Sequence, residues 1–283
     1  MLVNNNIKEQ MHKKILEIIA KYRPLDDDFM RELFRDNIPL TEMILRIITS
    51  KQDLKVTHQE TQYDMQQILG ARSLSLDVFA TDSENQLYNL EIQRSDKGAT
   101  AKRARYHSSA IDVESLKTKE DFDKLPITYV IFITENDVRG ENRPIYHFEW
   151  RDIETGKSLG DGTHIIYVNA AYDNENDNSD IAKLMHDFRC SDPADMNFEL
   201  LASKTKYFKQ TDEGVKHMCK LNEEMVNEAK LEAKLEAEYE NSIKVATKMI
   251  SDSVPIEKIA DYTDLTFEEI NELATKLKQS TTA

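Results

Sequence analysis

The chain has 283 residues, which is enough for roughly two domains at ~150 residues each. Hydrophobic residues make up 40% and charged residues 31%, with only 7 Gly and 6 Pro, so collagenous and low-complexity disordered classes are excluded. The 37 basic and 52 acidic residues give a net charge of −15, which argues against a protein whose whole surface coats nucleic acid.

The sequence predicts a cytoplasmic protein without a membrane span. No apolar run approaches the ~20 residues that a spanning helix needs, and the N-terminal segment MLVNNNIKEQMHKK lacks the apolar stretch of a signal peptide. The two cysteines, Cys190 and Cys219, cannot build a disulfide framework and have no CxxC spacing. They suit a reducing compartment.

The first hundred residues predict helices followed by a β-hairpin. Apolar residues at helical spacing predict a helix from Asn6 to Ala20, and RPLDDDFMRELFRDN predicts a turn and a short helix. Pro39 opens another helix, which places Glu42 in its first turn. The β-rich runs SLSLDVFA and LYNLEIQ are separated by the polar connector TDSENQ, which is typical of a hairpin.

The rest of the chain predicts a mixed α/β core ending near Tyr172 and a helical region after it. A helix is expected from Thr100 to Leu116, and ITYVIFIT and THIIYVNAAY are strand candidates. Three helical stretches follow, and the last, around KLEAKLEAEYE, is rich in strong helix formers and charges. The tail predicts two short helices, the second capped by Thr266 with Glu269 three residues later.

Charge is distributed unevenly along the chain. Between Glu91 and Arg105, basic residues outnumber acidic ones by three, whereas the long helical stretch from Glu223 to Glu240 is strongly acidic. The basic members of the first segment are Arg94, Lys97, Lys102, Arg103 and Arg105. This segment is the local patch that a nucleic-acid ligand would require.

The hairpin is the candidate for chemistry. If its turn is centred near Glu84, antiparallel pairing sets Asp77 opposite Glu91 on one face, with Gln93 on the same face. Facing carboxylates destabilise a sheet unless a cation lies between them, and oxygen ligands suit Mg²⁺ or Mn²⁺. A solvent-facing hairpin side with a different register is the alternative interpretation.

The stretch GARSLSLDVFATDSENQLYNLEIQRSDKGATAKRARYHSS resembles the PD-(D/E)XK nuclease superfamily, specifically its PD-(D/E)XK family transposases or recombination-promoting nucleases. Supporting segments are RPLDDDFMRELF upstream and, downstream, THIIYVNAAYDN and LMHDFRCSDPADMNFELLASKTKYFK. The resemblance extends from Tyr22 to the C-terminal helices. It implies an α/β fold with a restriction-endonuclease-like mixed sheet flanked by helices, followed by an α-helical C-terminal extension.

The resemblance also implies roles for individual residues of the hairpin. Asp77 and Glu91 match the family's metal-binding carboxylates, and the backbone carbonyl of Ile92 would be a further metal ligand. Gln93 occupies the place of the superfamily's lysine. A neutral amide can only orient water, whereas an ammonium can also stabilise charge. Glu42 matches the glutamate that N-terminal helices often contribute to such sites, although an i,i+4 pair with Arg46 explains it equally well.

Substrate contacts are expected from the helix that follows the hairpin. Arg103, Tyr106 and His107 share one face by spacing, and Lys102 and Arg105 occupy a neighbouring one. Arg103 and Tyr106 match a recurring R-x-x-Y of the family and would hold the scissile phosphate. A solvated charged helix with Tyr106 packed on the sheet is the alternative.

Two functions from different classes follow from this sequence. The first is a Mg²⁺- or Mn²⁺-dependent endonuclease that cuts DNA, with RNA not excluded as substrate and no other cofactor expected. The second is a catalytically inactive nuclease-fold module that regulates or interacts through its acidic helix, which could also form a homo-oligomer. The expected organisation is a nuclease-like domain over residues 1–210, a long charged helix over 211–250 and a small helix-turn-helix-like tail over 251–283.

Overall fold

The computed structural model describes residues 13–65, 74–94, 98–252, 254–263 and 265–281. The chain divides into two compact units, Met1–His217 and Met218–Ala283, with the boundary inside its longest helix. The division into residues 1–210, 211–250 and 251–283 stays a prediction. No helix of the described part combines the length and the apolar character that crossing a membrane requires.

The first unit is built on a six-stranded mixed sheet in the order β1-β2-β3-β4-β6-β5. The β3–β4 and β4–β6 pairs are parallel, and the other three pairs are antiparallel. The strands are β1 (Val56–Asp64), β2 (Ser75–Asp82), β3 (Leu87–Gln93), β4 (Thr128–Thr134), β5 (Ile145–Phe148) and β6 (Thr163–Asn169).

The apolar runs of the sequence form the centre of this sheet. Every residue of β4 is buried, because the strand lies between two parallel neighbours and both of its faces are covered. The predicted hairpin corresponds to β2 and β3, and the predicted strand THIIYVNAAY contains β6. The mixed α/β core is therefore confirmed.

Helices of the first unit flank the sheet. They are α1 (residues 13–21), α2 (Asp27–Phe34), α3 (Ile38–Thr49), α4 (Ala101–Ser115), α5 (Asp180–Arg189) and α6 (Glu199–Gln210). Residues 6–12 of the predicted first helix lie outside the described residues. Helix α4 connects the parallel strands β3 and β4, and its Ala104 and Ile111 pack with Val130 and Phe132 of β4 in one apolar cluster. This packing holds α4 against the sheet face that carries the site.

The second unit is helical and has a small core of its own. Helix α7 (Asp212–Ser251) crosses the boundary, and α8 (Ile256–Thr263) and α9 (Phe267–Thr281) follow. Its core contains Ala246, Ile259, Leu265 and Ile270. The predicted cap of α9 is confirmed, because the Glu269 backbone N–H donates to Thr266 Oγ1 at 3.3 Å and the Thr266 N–H donates to Glu269 Oε2 at 2.8 Å.

Candidate active site

A tight turn fixes the register of the β2–β3 hairpin. The carboxylate of Asp82 accepts hydrogen bonds from the backbone N–H groups of Glu84 and Gln86, each at 2.9 Å. Asn85 adopts the left-handed conformation with φ of 60°, which Asn tolerates better than most residues. The turn is therefore centred where the sequence predicts it.

Pairing within the hairpin runs from Thr81–Leu87 to Val78–Leu90. This register continues to Asp77 and Glu91, where side chains take over the bonding. The Asp77 N–H donates to Glu91 Oε1 at 3.2 Å, and the Ile92 N–H donates to Asp77 Oδ2 at 3.1 Å. Each carboxylate thus binds the backbone of the opposite strand, and the two acidic side chains are brought side by side.

Burial makes this pair of carboxylates costly to ionise. Glu91 is fully buried, and desolvation, followed by the charge of Asp77, raises the pKa of Glu91 to about 8. Desolvation also raises the pKa of Asp77, while its bond from the Ile92 N–H opposes this shift. A divalent cation would relieve the same repulsion by binding both charged forms.

Gln93 lies at the end of β3, beside Arg103 of α4. Arg103 Nη1 donates to Gln93 Oε1 at 3.4 Å. This bond uses the amide oxygen of Gln93 and leaves its NH₂ group able to donate to another acceptor. Gly98 packs directly against this side chain, because a Cβ at position 98 would overlap the Gln93 amide oxygen. The absence of a side chain at Gly98 therefore leaves the space that the Gln93 amide oxygen occupies.

Arg103 places a positive charge beside the two carboxylates. The side chain of Thr100 caps α4 by accepting from the Arg103 N–H at 3.2 Å, which places Arg103 in the first turn of the helix. Its Nη2 forms an ion pair with Glu91 Oε2 at 3.1 Å. A guanidinium thus lies next to the side chain of Gln93.

His107 lies behind Arg103 and is fully buried. Arg103 Nε donates to His107 Nε2 at 3.1 Å, and His107 Nδ1 lies 2.9 Å from Asn89 Nδ2 and 3.7 Å from Glu91 Oε1. Desolvation, followed by the charge of Arg103, lowers the pKa of His107 to about 4, so the imidazole is neutral at pH 7. Neutral His107 accepts from Arg103 and fixes one edge of the guanidinium.

The structure places Glu42 away from these contacts. Glu42 Oε1 pairs with Arg46 Nη2 at 2.6 Å, and Glu42 Oε2 accepts from the Val56 N–H at 3.0 Å. The first contact lies within α3, and the second joins α3 to the start of β1. The sequence left two roles open for Glu42, an i,i+4 pair with Arg46 and a metal ligand. These contacts favour the i,i+4 pair.

The other predicted contact residues lie on different sides of α4. Tyr106 is 41% exposed, whereas His107, one position further along the helix, is buried. Lys102 and Arg105 are exposed and line a cleft that also contains Trp150. None of the hydrogen bonds found in the described chain joins Lys102 or Arg105 to Asp77 or Glu91.

Two residues of α2 act on the site, and the sequence did not single them out. The charge of Arg31 lowers the pKa of Asp77, and the charge of Asp27 raises it. Both belong to the segment RPLDDDFMRELF, whose likeness to the family was the only signal for them. Their position depends on how α2 packs on β2, which hydrophobic periodicity does not reveal.

The donor set is that of a hard divalent cation. In the described residues, no group of three or more His, Cys, Asp or Glu side chains is arranged to hold a metal ion. Two adjoining carboxylates nevertheless fit Mg²⁺, which commonly keeps several waters and binds one or two carboxylates together with substrate phosphates. The residues present therefore fit the group that the resemblance implies.

Comparison with known proteins supports this interpretation of the fold. A family model described as PD-(D/E)XK nuclease family transposase matches residues 36–253, about three-quarters of the chain, including the whole hairpin. The upstream segment RPLDDDFMRELF lies outside the matched range. No curated protein and no solved structure matches the chain. The mixed six-stranded sheet with flanking helices agrees with a restriction-endonuclease-like fold, and the chain belongs to the PD-(D/E)XK nuclease family transposases.

Proposed function

We propose that the protein is a divalent-metal-dependent phosphodiester hydrolase that cuts DNA, with Asp77 and Glu91 as the ligands of Mg²⁺ or Mn²⁺. The observation that carries this proposal is the reciprocal bonding of Asp77 and Glu91 across the open end of the hairpin. Their raised pKa values support it, because buried like charges of this kind are concentrated at functional sites.

The carboxylates and the backbone carbonyl of Ile92 would hold the ion in the proposed site. When bound, the ion supplies a water of lowered pKa and neutralises charge that develops on the phosphate. Glu42 is left out of the proposed ligand set, because its contacts are with Arg46 and the Val56 N–H, and none of the hydrogen bonds or ion pairs of the described residues joins it to Asp77 or Glu91.

In the proposed site, Gln93 and Arg103 together replace the lysine of the superfamily. The amide NH₂ of Gln93 orients the attacking water but carries no charge. Arg103 contributes the positive charge, and its guanidinium can bind a phosphate oxygen with a pair of N–H donors. Tyr106, Lys102 and Arg105 contact the nucleic-acid backbone further from the reacting bond.

DNA is the favoured substrate. RNA is the other substrate class that the sequence left open. Contacts from Arg and Lys to phosphate carry no sequence information, so little sequence specificity is expected. Three further expectations stay predictions: a role in transposition or recombination, a cytoplasmic location, and a homo-oligomer formed through α7. Size-exclusion chromatography of the full chain, coupled to light scattering, measures the oligomeric state.

Plasmid nicking in Mg²⁺ or Mn²⁺ tests the proposed function. The parent protein is expected to nick, and Asp77→Asn and Glu91→Gln are expected to lose nicking by at least about 10²-fold. Glu141→Gln is the matched control, since Glu141 is exposed and pairs with Arg143 at 3.0 Å. Nicking by both site variants at the parent rate overturns the assignment.

The ion pair between Arg103 and Glu91 supports the alternative of an inactive module. In that alternative, Arg103 already compensates Glu91 at 3.1 Å, and Gln93 cannot replace the missing lysine. Divalent-cation binding separates the two functions. An inactive module is the better assignment if neither Mg²⁺ nor Mn²⁺ binds in a manner that depends on Asp77 and Glu91.

A further inference from the structure

A cleft of about 560 Å³ lies between α4 and β6, outside the carboxylate site. Helix α4 forms one side of it with Lys102 and Arg105, and Thr163 and Ile165 of β6 lie on the other side with Trp150. Asp77, Glu91, Gln93 and Arg103 do not line this cleft. It is therefore a separate feature that shares α4 with the site.

The cleft is electrostatically polarised along α4. Its cations, Lys102 and Arg105, lie one helical turn apart near the start of the helix, are exposed, and form no ion pair within the described chain. Its carboxylates are Asp112, near the end of α4, and Asp161. The charge of Asp161 raises the pKa of Asp112, which indicates that the two carboxylates lie near one another.

The basic end of the cleft adjoins the active site through the helix itself. Lys102 and Arg105 flank Arg103 in sequence, and Arg103 pairs with Glu91. The two cations lie on a different face of α4 from Arg103, so a polyanion bound by Arg103 reaches them by passing around the helix. Asp112 and Asp161, at the other end of the cleft, repel phosphate. The basic end therefore suits the phosphates of a ligand, and the acidic end suits a part of the same ligand that carries no negative charge.

Trp150 supplies the remaining chemistry. It is the only tryptophan of the chain and is 58% exposed at the cleft. An exposed indole of this kind offers a face on which a planar group can stack, and every nucleobase has such a face. Within a duplex the faces of a base are covered by its neighbours, so stacking on Trp150 requires an unpaired base.

We propose that this cleft binds single-stranded nucleic acid, with an unpaired base stacked on Trp150 and the adjoining phosphates on Lys102 and Arg105. Asp112 and Asp161 accept hydrogen bonds from N–H groups of the base edge and exclude phosphate from that end. The inference rests on the proposed function in that the ligand is the nucleic acid being cut. It adds a preference for substrates with unpaired segments near the scissile bond.

The single tryptophan makes the test direct. Intrinsic fluorescence of the full chain is followed while a single-stranded DNA oligonucleotide is added in EDTA, and anisotropy of a labelled copy gives binding independently. We expect quenching of Trp150 that saturates together with the anisotropy, and much weaker quenching by a blunt duplex of the same sequence. Anisotropy that rises without quenching, equal quenching by the duplex, or no binding at all overturns the proposal.

Variants of the cleft provide the second arm. Trp150→Ala is expected to weaken single-strand binding by roughly 5- to 100-fold, the range of one base–aromatic stack, while Trp150→Phe retains most of it. The double variant Lys102→Ala/Arg105→Ala is expected to weaken binding and reduce its salt dependence. Lys124→Ala is the control, because Lys124 is exposed and does not line the cleft. Parent affinity in all the cleft variants contradicts the proposal.

Failure of this inference is distinguishable from failure of the proposed function. The binding assays contain no divalent ion and can be repeated with Asp77→Asn, whose nicking is expected to be lost. Quenching without nicking in the parent protein rejects only the hydrolase. Nicking without quenching rejects only the single-strand site.

Discussion

Arg103 and His107 lie one turn apart on α4, and Arg103 Nε donates to the Nε2 of the fully buried His107 at 3.1 Å. This bond turns the two Nη atoms of Arg103 toward Gln93 and Glu91, which accept from them at 3.4 and 3.1 Å. A neutral imidazole is required for it, because a protonated ring has no acceptor to offer. We infer that His107 is a positioning residue that acts through Arg103.

Replacing His107 tests this positioning role. His107→Leu removes the acceptor and is expected to lower the kcat of nicking by on the order of 10²-fold with a smaller change in KM, since a misplaced group can cost that much. His107→Gln retains an acceptor and is expected to recover a large part of kcat. Steady-state nicking and thermal unfolding are measured on both variants. If the Gln variant is as slow as the Leu variant at equal Tm, His107 does not act by positioning Arg103.

Glu91 makes stability depend on pH in a defined direction. Its pKa is raised to about 8 in the folded protein, so the folded state binds more protons than the unfolded state between the ordinary carboxyl range and pH 8. Stability from this group is therefore lost as pH rises through that window, by about 1.4 kcal/mol for each unit of pKa shift. In the metal-free parent protein, this group is expected to lower Tm as pH rises from 5 to 8. Glu91→Gln is expected to show a smaller decrease in Tm over the same range.

Calorimetric or fluorescence melts at several pH values in EDTA make this measurement. Glu141→Gln serves as the control, because its exposed carboxylate has no such environment. Parallel Tm profiles for the parent and Glu91→Gln would show that Glu91 ionises normally.

Gly98 and Gly140 are expected to give opposite phenotypes. In Gly98→Ala the new methyl group displaces the Gln93 amide, a flexible side-chain end, so nicking falls by about 10-fold or more while Tm changes little. In Gly140→Ala the methyl group meets no neighbour, but φ is +74°, which costs about 1 kcal/mol in stability and leaves nicking intact. Nicking rates and Tm of the two variants are compared. Full activity in Gly98→Ala means that Gln93 needs no fixed position.

Glu42 is expected to behave as a structural residue. Glu42→Ala removes the partner of Arg46 and the acceptor of the Val56 N–H, which costs about 1 kcal/mol or more in unfolding free energy. Nicking below the transition temperature is expected to stay within about twofold of the parent, because the substitution leaves Asp77 and Glu91 in place. Urea unfolding and nicking of the same preparation check both expectations. Loss of nicking in a folded Glu42→Ala protein would return Glu42 to the ligand set.

The elements predicted from the sequence are those with a strong local signal. The run TYVIFIT is apolar throughout because β4 is buried on both faces, and the hairpin carries its turn chemistry in TDSENQ. Strand β1 was not predicted, because it lies at the sheet edge and its sequence VTHQETQYD is mostly polar. Strand β5 was not predicted either, because it has only four residues at the opposite edge.

The same distinction between local and long-range information applies to the site. Asp77 and Glu91 could be paired from the sequence because a hairpin register follows from its turn. Helical spacing placed Arg103, Tyr106 and His107 on one face, but it did not show that Tyr106 is exposed while His107 is buried. Asp27, Arg31 and Trp150 reach their positions through packing between distant segments, which periodicity does not encode.

Calorimetric titration of Mn²⁺ into the full chain measures whether Asp77 and Glu91 form a metal site. We expect one saturable binding event at pH 7 that disappears in both Asp77→Asn and Glu91→Gln and persists in Glu141→Gln. We also expect proton release on binding, visible as a heat that depends on the buffer, because burial beside Asp77 raises the pKa of Glu91 and the ion binds the ionised carboxylate. Absence of Mn²⁺ binding, or binding that survives both substitutions, shows that Asp77 and Glu91 do not hold the ion.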